Sequence, residues 1–149
     1  MATRGLPLWP WTTCETDALP AAERLLVDAA RLWAAEARRG VPPEPALRRL
    51  LAAESAGAAA APLDALMRAV AAPGLRLGCP LCPNIAGDEA ALLLVAALAQ
   101  RGPRREALAC LVARLPGAGA YAAMGAAIAM GCAFRAAGLR FADPWQEGG

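Results

Sequence analysis

Alanine fills about a quarter of the 149 positions, and no other property of the chain narrows its fold so far. Alanine is the best intrinsic helix former because it loses no side-chain entropy in a helix and buries no polar group. Strands draw instead on β-branched and aromatic residues in alternation. Aromatic residues make up 5% of this chain, and no segment alternates apolar with polar. The expected class is therefore all-α: a compact bundle of five to six helices with an irregular N-terminal arm. Alanine removes little surface from water, at about 25 cal/mol per Å², so the scattered Leu, Val, Met and Trp must supply much of the burial.

The length fits one domain, in which folding hides roughly 70% of the surface of the unfolded chain. Hydrophobic residues at 58% and charged residues at 19% are too apolar a balance for a disordered chain. Proline and glycine divide the chain into an irregular arm (residues 1–17), a helical bundle (18–142) and a flexible C-terminal tail (143–149). In the arm, Trp9 and Trp11 sit among Pro7 and Pro10. Such side chains either cover their own bundle or anchor a partner, and they are the expected partner-binding residues.

Helical spacing predicts a first helix from Asp17 or Leu19 to Gly40, with Leu25, Leu26, Ala29, Leu32, Trp33 and Ala37 inward. On it, Glu23, Arg24, Asp28, Arg31, Arg38 and Arg39 fall mostly on the solvated face. A second helix is expected over 44–54, stopped by Gly57, and a third over 62–72, ended by Pro73 and Gly74. Asp88 and Glu89 open a fourth, apolar nearly all round from Ala90 to Ala99 and hence the central element. A fifth follows the Arg101-Gly102-Pro103 turn with Leu108, Leu111, Val112 and Leu115 on one face. A sixth, over 118–137, aligns Tyr121, Met124, Ile128 and Cys132, with Gly125 permitting close approach of a neighbour. Residues 115–134 carry no charge over a membrane-spanning length. Their glycines, Pro116 and alanines point to a buried bundle helix rather than a span.

Composition also removes chemistry. The chain has no His and no Lys, all fifteen basic residues being Arg, and Ser55 is its only serine. Imidazole acid-base catalysis, His-ligated metals and lysine Schiff bases are excluded. A net charge of +2 gives no field for nucleic acid or an anionic membrane. The N-terminal apolar stretch is too short and proline-broken for an export signal. With five cysteines, an odd number, this points to reduced thiols in the cytoplasm.

The one chemically distinctive motif is Cys79-Pro80-Leu81-Cys82-Pro83, within a loop over 74–87. A two-residue spacer lets both sulfurs face one side of a turn, as shared metal coordination or a reversible disulfide requires, and a merely structural loop is the third expectation for the motif. Over these five residues the motif resembles the knuckle of zinc-ribbon and rubredoxin-like sites, which implies zinc. The remaining ligands would come from Cys132, Cys110, Cys14, Asp88 or Glu89, with Cys132 best placed by face and Cys110 partly exposed. The spacing is also similar to that of the all-helical AhpD-like peroxidases, where it starts a helix beside a His and a Glu. Here no His exists and Pro83 follows the second thiol, so that likeness extends to Cys79 and Cys82 alone. Three functions are expected: a non-catalytic interaction or accessory protein, binding a protein partner or a second copy, with a zinc clip; a thiol-disulfide or peroxide-handling protein using the pair; or a metal carrier or accessory subunit of a metalloenzyme.

Overall fold

In a computed structural model, which describes residues 14–71, 75–86 and 88–144, the chain is all-α. The six α-helices are α1 (Ala21–Arg38), α2 (Glu44–Ala52), α3 (Ala60–Ala71), α4 (Glu89–Arg101), α5 (Arg104–Val112) and α6 (Gly117–Ala136). Short 3-10 turns at Thr16–Ala18 and Gly57–Ala59 lead into α1 and α3. Trp9 and Trp11, like the tail beyond residue 144, lie outside the described residues.

Of the expected inward row of α1, Leu25, Leu26 and Ala29 are buried, with Ala22 and Ala30 beside them, whereas Leu32 and Trp33 are half-buried and Ala37 is exposed, because the helix runs past the bundle at its C-terminal end. Its start follows from Pro20, which needs no N–H of its own and whose carbonyl accepts from Arg24 N at 2.8 Å. The α2 helix ends at Ala52, and the chain turns at Ser55, whose φ is +61°, and not at Gly57, which begins the next turn. Leu47 and Leu51 are its buried contribution.

The α4 helix is buried from Leu92 to Ala99 without a break, as an all-round apolar segment must be. It packs on α5 and α6, while α6 makes its most extensive contact with α3. On α6 the buried row is Ala120, Ala123, Met124, Ala127, Met130, Gly131 and Phe134. This corrects the expected stripe. Tyr121 is 68% exposed and Cys132 is also exposed, because the small residues face inward and set a short distance to α4. The close approach is at Gly131, where an added Cβ would stand 3.1 Å from Gln100 Cβ. Around Gly125 nothing lies within 4 Å. The helix is long and apolar enough to cross a membrane, with a mean hydropathy of 1.4, and here its inner row lies against the bundle.

Beyond α6, the chain returns under α4. Phe141 stacks on Phe134 with ring centroids 5.4 Å apart. Gln100 fixes the return: its Nε2 donates to Gly131 O and Leu139 O, and its Oε1 accepts from Phe141 N.

Candidate functional site

Two residues expected on the solvated face of α1 are buried instead. Glu23 is 0% and Arg31 1% exposed. They sit four residues to either side of the buried Val27, so a second inward row crosses the helix beside the leucine row. Arg31 reaches the start of α4, where Glu89, also 0% exposed, meets it in a bidentate pair. Nε donates to Oε2 at 2.6 Å and Nη2 to Oε1 at 2.8 Å.

The loop between α3 and α4 is folded around this pair. Arg31 Nη1 donates to Cys82 O at 2.8 Å and Nη2 to Asn84 O at 3.0 Å. Glu89 in turn accepts from Gly78 N at 3.0 Å and Ala86 N at 2.7 Å. Each buried charge is thus paired and hydrogen-bonded, the condition under which burial is tolerated. Hydrogen bonding to Glu89 raises the Arg31 pKa further above its ordinary value. Gly78 is favoured by contact: a Cβ there would stand 2.9 Å from Arg31 Nη2, and the guanidinium could yield only by giving up its bonds to Glu89 and Asn84 O.

Two further ties complete the loop. Residues 14–16 run antiparallel beside it, with Thr16 N donating to Pro83 O at 2.7 Å and Ile85 N to Cys14 O at 3.0 Å. Asp88 accepts from Arg76 N at 2.8 Å and from Arg114 Nη1 at 2.9 Å. The amide of Arg76 and the guanidinium of Arg114 hold the Asp88 carboxyl below the ordinary carboxylate range.

On this frame the two thiols of the motif come together, Sγ to Sγ at 2.9 Å. Cys79 is exposed, Cys82 half-buried, and Leu81 at the tip is 91% exposed. Cys79 N donates to Cys82 Sγ at 3.1 Å, and Cys82 N to Cys79 O at 3.0 Å. The Cys79 thiol is lowered from its usual value, first by the bond from Cys82 and then by the backbone amide of Leu81. The Cys82 thiol is raised by the same contact. The charge of Arg31 behind the loop favours the thiolate form of either.

The other expected ligands are elsewhere. Cys132 is exposed on α6, and Cys110 is buried on α5, where desolvation raises its thiol pKa. Asp88 and Glu89 are engaged by arginines and amides. Cys14 donates to Glu15 O at 3.1 Å. Among the described residues no three Cys, Asp or Glu side chains converge as a metal-ligand group.

Sequence reasoning missed Arg31, Glu89 as its partner, and Gly78. The one signal for Glu89 was its place at the start of a helix that is apolar nearly all round; nothing local pointed to Arg31, 58 residues away.

No family model matches this chain, and neither a curated protein nor a solved structure does. The fold and site together define a class: an all-helical protein whose buried Arg-Glu pair holds out an adjacent pair of thiols.

Proposed function

We propose that the protein acts by thiol-disulfide exchange through Cys79 and Cys82, as an accessory protein that presents this dithiol to a disulfide-bearing partner in the cytoplasm. The observation that carries the reading is the 2.9 Å separation of the two sulfurs, one of them exposed and with a lowered pKa. Two sulfurs on one zinc ion, each about 2.3 Å from the metal in a tetrahedron, stand roughly 3.8 Å apart.

In the step proposed, the Cys79 thiolate attacks one sulfur of the partner's disulfide and expels the other as a thiolate. Cys82, losing its proton to solvent, then attacks Cys79 Sγ in the mixed disulfide. The partner leaves with both sulfurs reduced, and Cys79 and Cys82 are oxidised to an intramolecular disulfide. The absence of His and Lys supports confining the chemistry to sulfur. Leu81 between the thiols offers the partner an apolar contact.

In the test, alkylation of the wild type is followed against pH with the modified thiol identified by peptide mass spectrometry, and the wild type is then oxidised mildly. The reading expects Cys79 to react as a thiolate below the ordinary thiol range of about 8.5, Cys82 above it, and a Cys79–Cys82 disulfide that dithiothreitol reverses. Equal, unshifted thiols that form no internal disulfide would sink it. The hydrogen bond that the Cys79 backbone N–H donates to Cys82 Sγ favours a second reading, a zinc clip completed by ligands from another chain. One zinc per two chains in freshly purified protein, protecting both thiols until chelation, would establish that instead.

A further inference from the structure

A cavity of about 390 Å³ opens between α3, α4 and α5, away from the two thiols and sharing with their loop only the Asp88–Arg114 tie. Its walls are almost wholly apolar, with Leu66 and Val70 from α3, Leu92 and Val95 from α4, and Leu111 from α5. Asp88 and Arg114 also line it, and they form the ion pair described above. The size falls at the lower end of small-molecule sites, roughly 300–1,000 Å³, and the lining has their usual character: apolar walls with a few placed polar groups.

The charges in the wall decide the ligand. Both carboxylate oxygens of Asp88 are already used, one by Arg76 N and one by Arg114. Arg114 is 55% exposed and engages Asp88 through Nη1 alone, leaving the rest of its guanidinium fork for a second acceptor. The charge of Arg76 also acts on Asp88, and Glu106, the carboxylate that acts on Cys110 in the wall, has Arg105 3.8 Å away, so the three cations outnumber the two anions at this end of the cavity. A carboxylate is the anion a planar guanidinium binds best through paired N–H groups.

We infer that this cavity is a binding site for a small amphipathic carboxylate, of the medium-chain fatty-acid class, with its chain among Leu66, Val70, Leu92, Val95 and Leu111 and its carboxylate on Arg114. The Cys110 thiol stands in the wall. Burial raises its pKa, so it remains a neutral, inert part of the lining. The site is separate from Cys79 and Cys82, and either assignment stands if the other fails.

The test uses the full chain with methyl-labelled Leu and Val. Decanoate and decanol are titrated in turn, and the methyl resonances of Leu66, Val70, Leu92 and Val95 are followed. Decanoate is expected to shift these signals saturably and to bind about tenfold more tightly than decanol, as a charge-assisted contact implies. Arg114→Gln should bring decanoate down to the level of decanol and leave decanol unchanged. Because that variant also removes a tie to Asp88, a second one, Ala113→Trp at the exposed rim, fills the mouth without touching the ion pair. It should abolish binding of both ligands at unchanged helical content. No saturable shift with decanoate, decanol binding as well as decanoate, or full decanoate affinity in either variant would each overturn the assignment.

Discussion

Arg31 shows how much of the loop's geometry rests on one side chain. Its guanidinium spans α1, the start of α4 and two carbonyls of the loop, and it is 1% exposed. Removing one partner of a buried pair leaves the other charge uncompensated, which costs about 3–5 kcal/mol. Against a domain stability of roughly 5–15 kcal/mol that is a large fraction. Arg31→Met is therefore expected to lower the urea midpoint sharply at constant slope. The double variant Arg31→Met/Glu89→Gln, in which no charge is stranded, should be more stable than Arg31→Met alone. Losses that simply add would show that the two side chains are not coupled. The cysteines were legible at this scale because a Cys-x-x-Cys motif is local. Their support was not, since Arg31 and Glu89 are separated by 58 residues.

Between elements, the spacing of α4 and α6 depends on which glycine faces the neighbour. A methyl at Gly131 would stand 3.1 Å from Gln100 Cβ and 3.3 Å from its Cα, and backbone does not yield as a flexible side chain does. Gly131→Ala should gain up to about 1 kcal/mol in helix propensity and lose roughly 1–3 kcal/mol to overpacking, a net destabilisation. Gly125→Ala, with open space around it, should keep the propensity gain and stabilise by about 0.5–1 kcal/mol. Thermal unfolding of the two variants, run side by side, checks the opposite signs. The sequence pattern pointed to Gly125 because large residues were taken to mark the inner face of α6. In a helix so rich in alanine the buried face is the one with small residues, and Tyr121 is left outside. On α5 the structure likewise reverses the expected face, with Val112, expected inward, exposed and Cys110, expected partly exposed, buried, because a helix of nine residues offers too few apolar positions to fix its rotation.

Across the whole molecule, Glu23 joins the two ends of the fold. Its Oε2 accepts from Ala142 N at 2.9 Å, 119 residues away, while Oε1 is buried with no hydrogen-bond partner. Burial raises this carboxyl above its ordinary 4.5, against lesser lowering by the Ala142 amide and by Arg101. A carboxyl raised in the folded state binds its proton more tightly there than in the unfolded chain. Its contribution to stability is therefore complete below pH 4.5 and is lost as pH rises through the folded value. Asp88 is lowered instead, so its contribution is lost only as pH falls below its ordinary 3.8. The window from pH 4.5 up to the range where the shifted cysteine thiols titrate belongs to Glu23. Urea midpoints of the wild type should decline through that window, and Glu23→Gln should flatten the decline.

The helices, their order, the central place of α4 and the thiol motif followed from the sequence, because propensity, periodicity and a two-residue spacer act over a few residues at a time. Which polar groups were drawn inside did not. Burying Glu23, Arg31 and Glu89, turning Cys132 outward, and opening a cavity beside Arg114 all depend on partners remote in the chain. Only the packing of helix on helix brings those partners within hydrogen-bond reach.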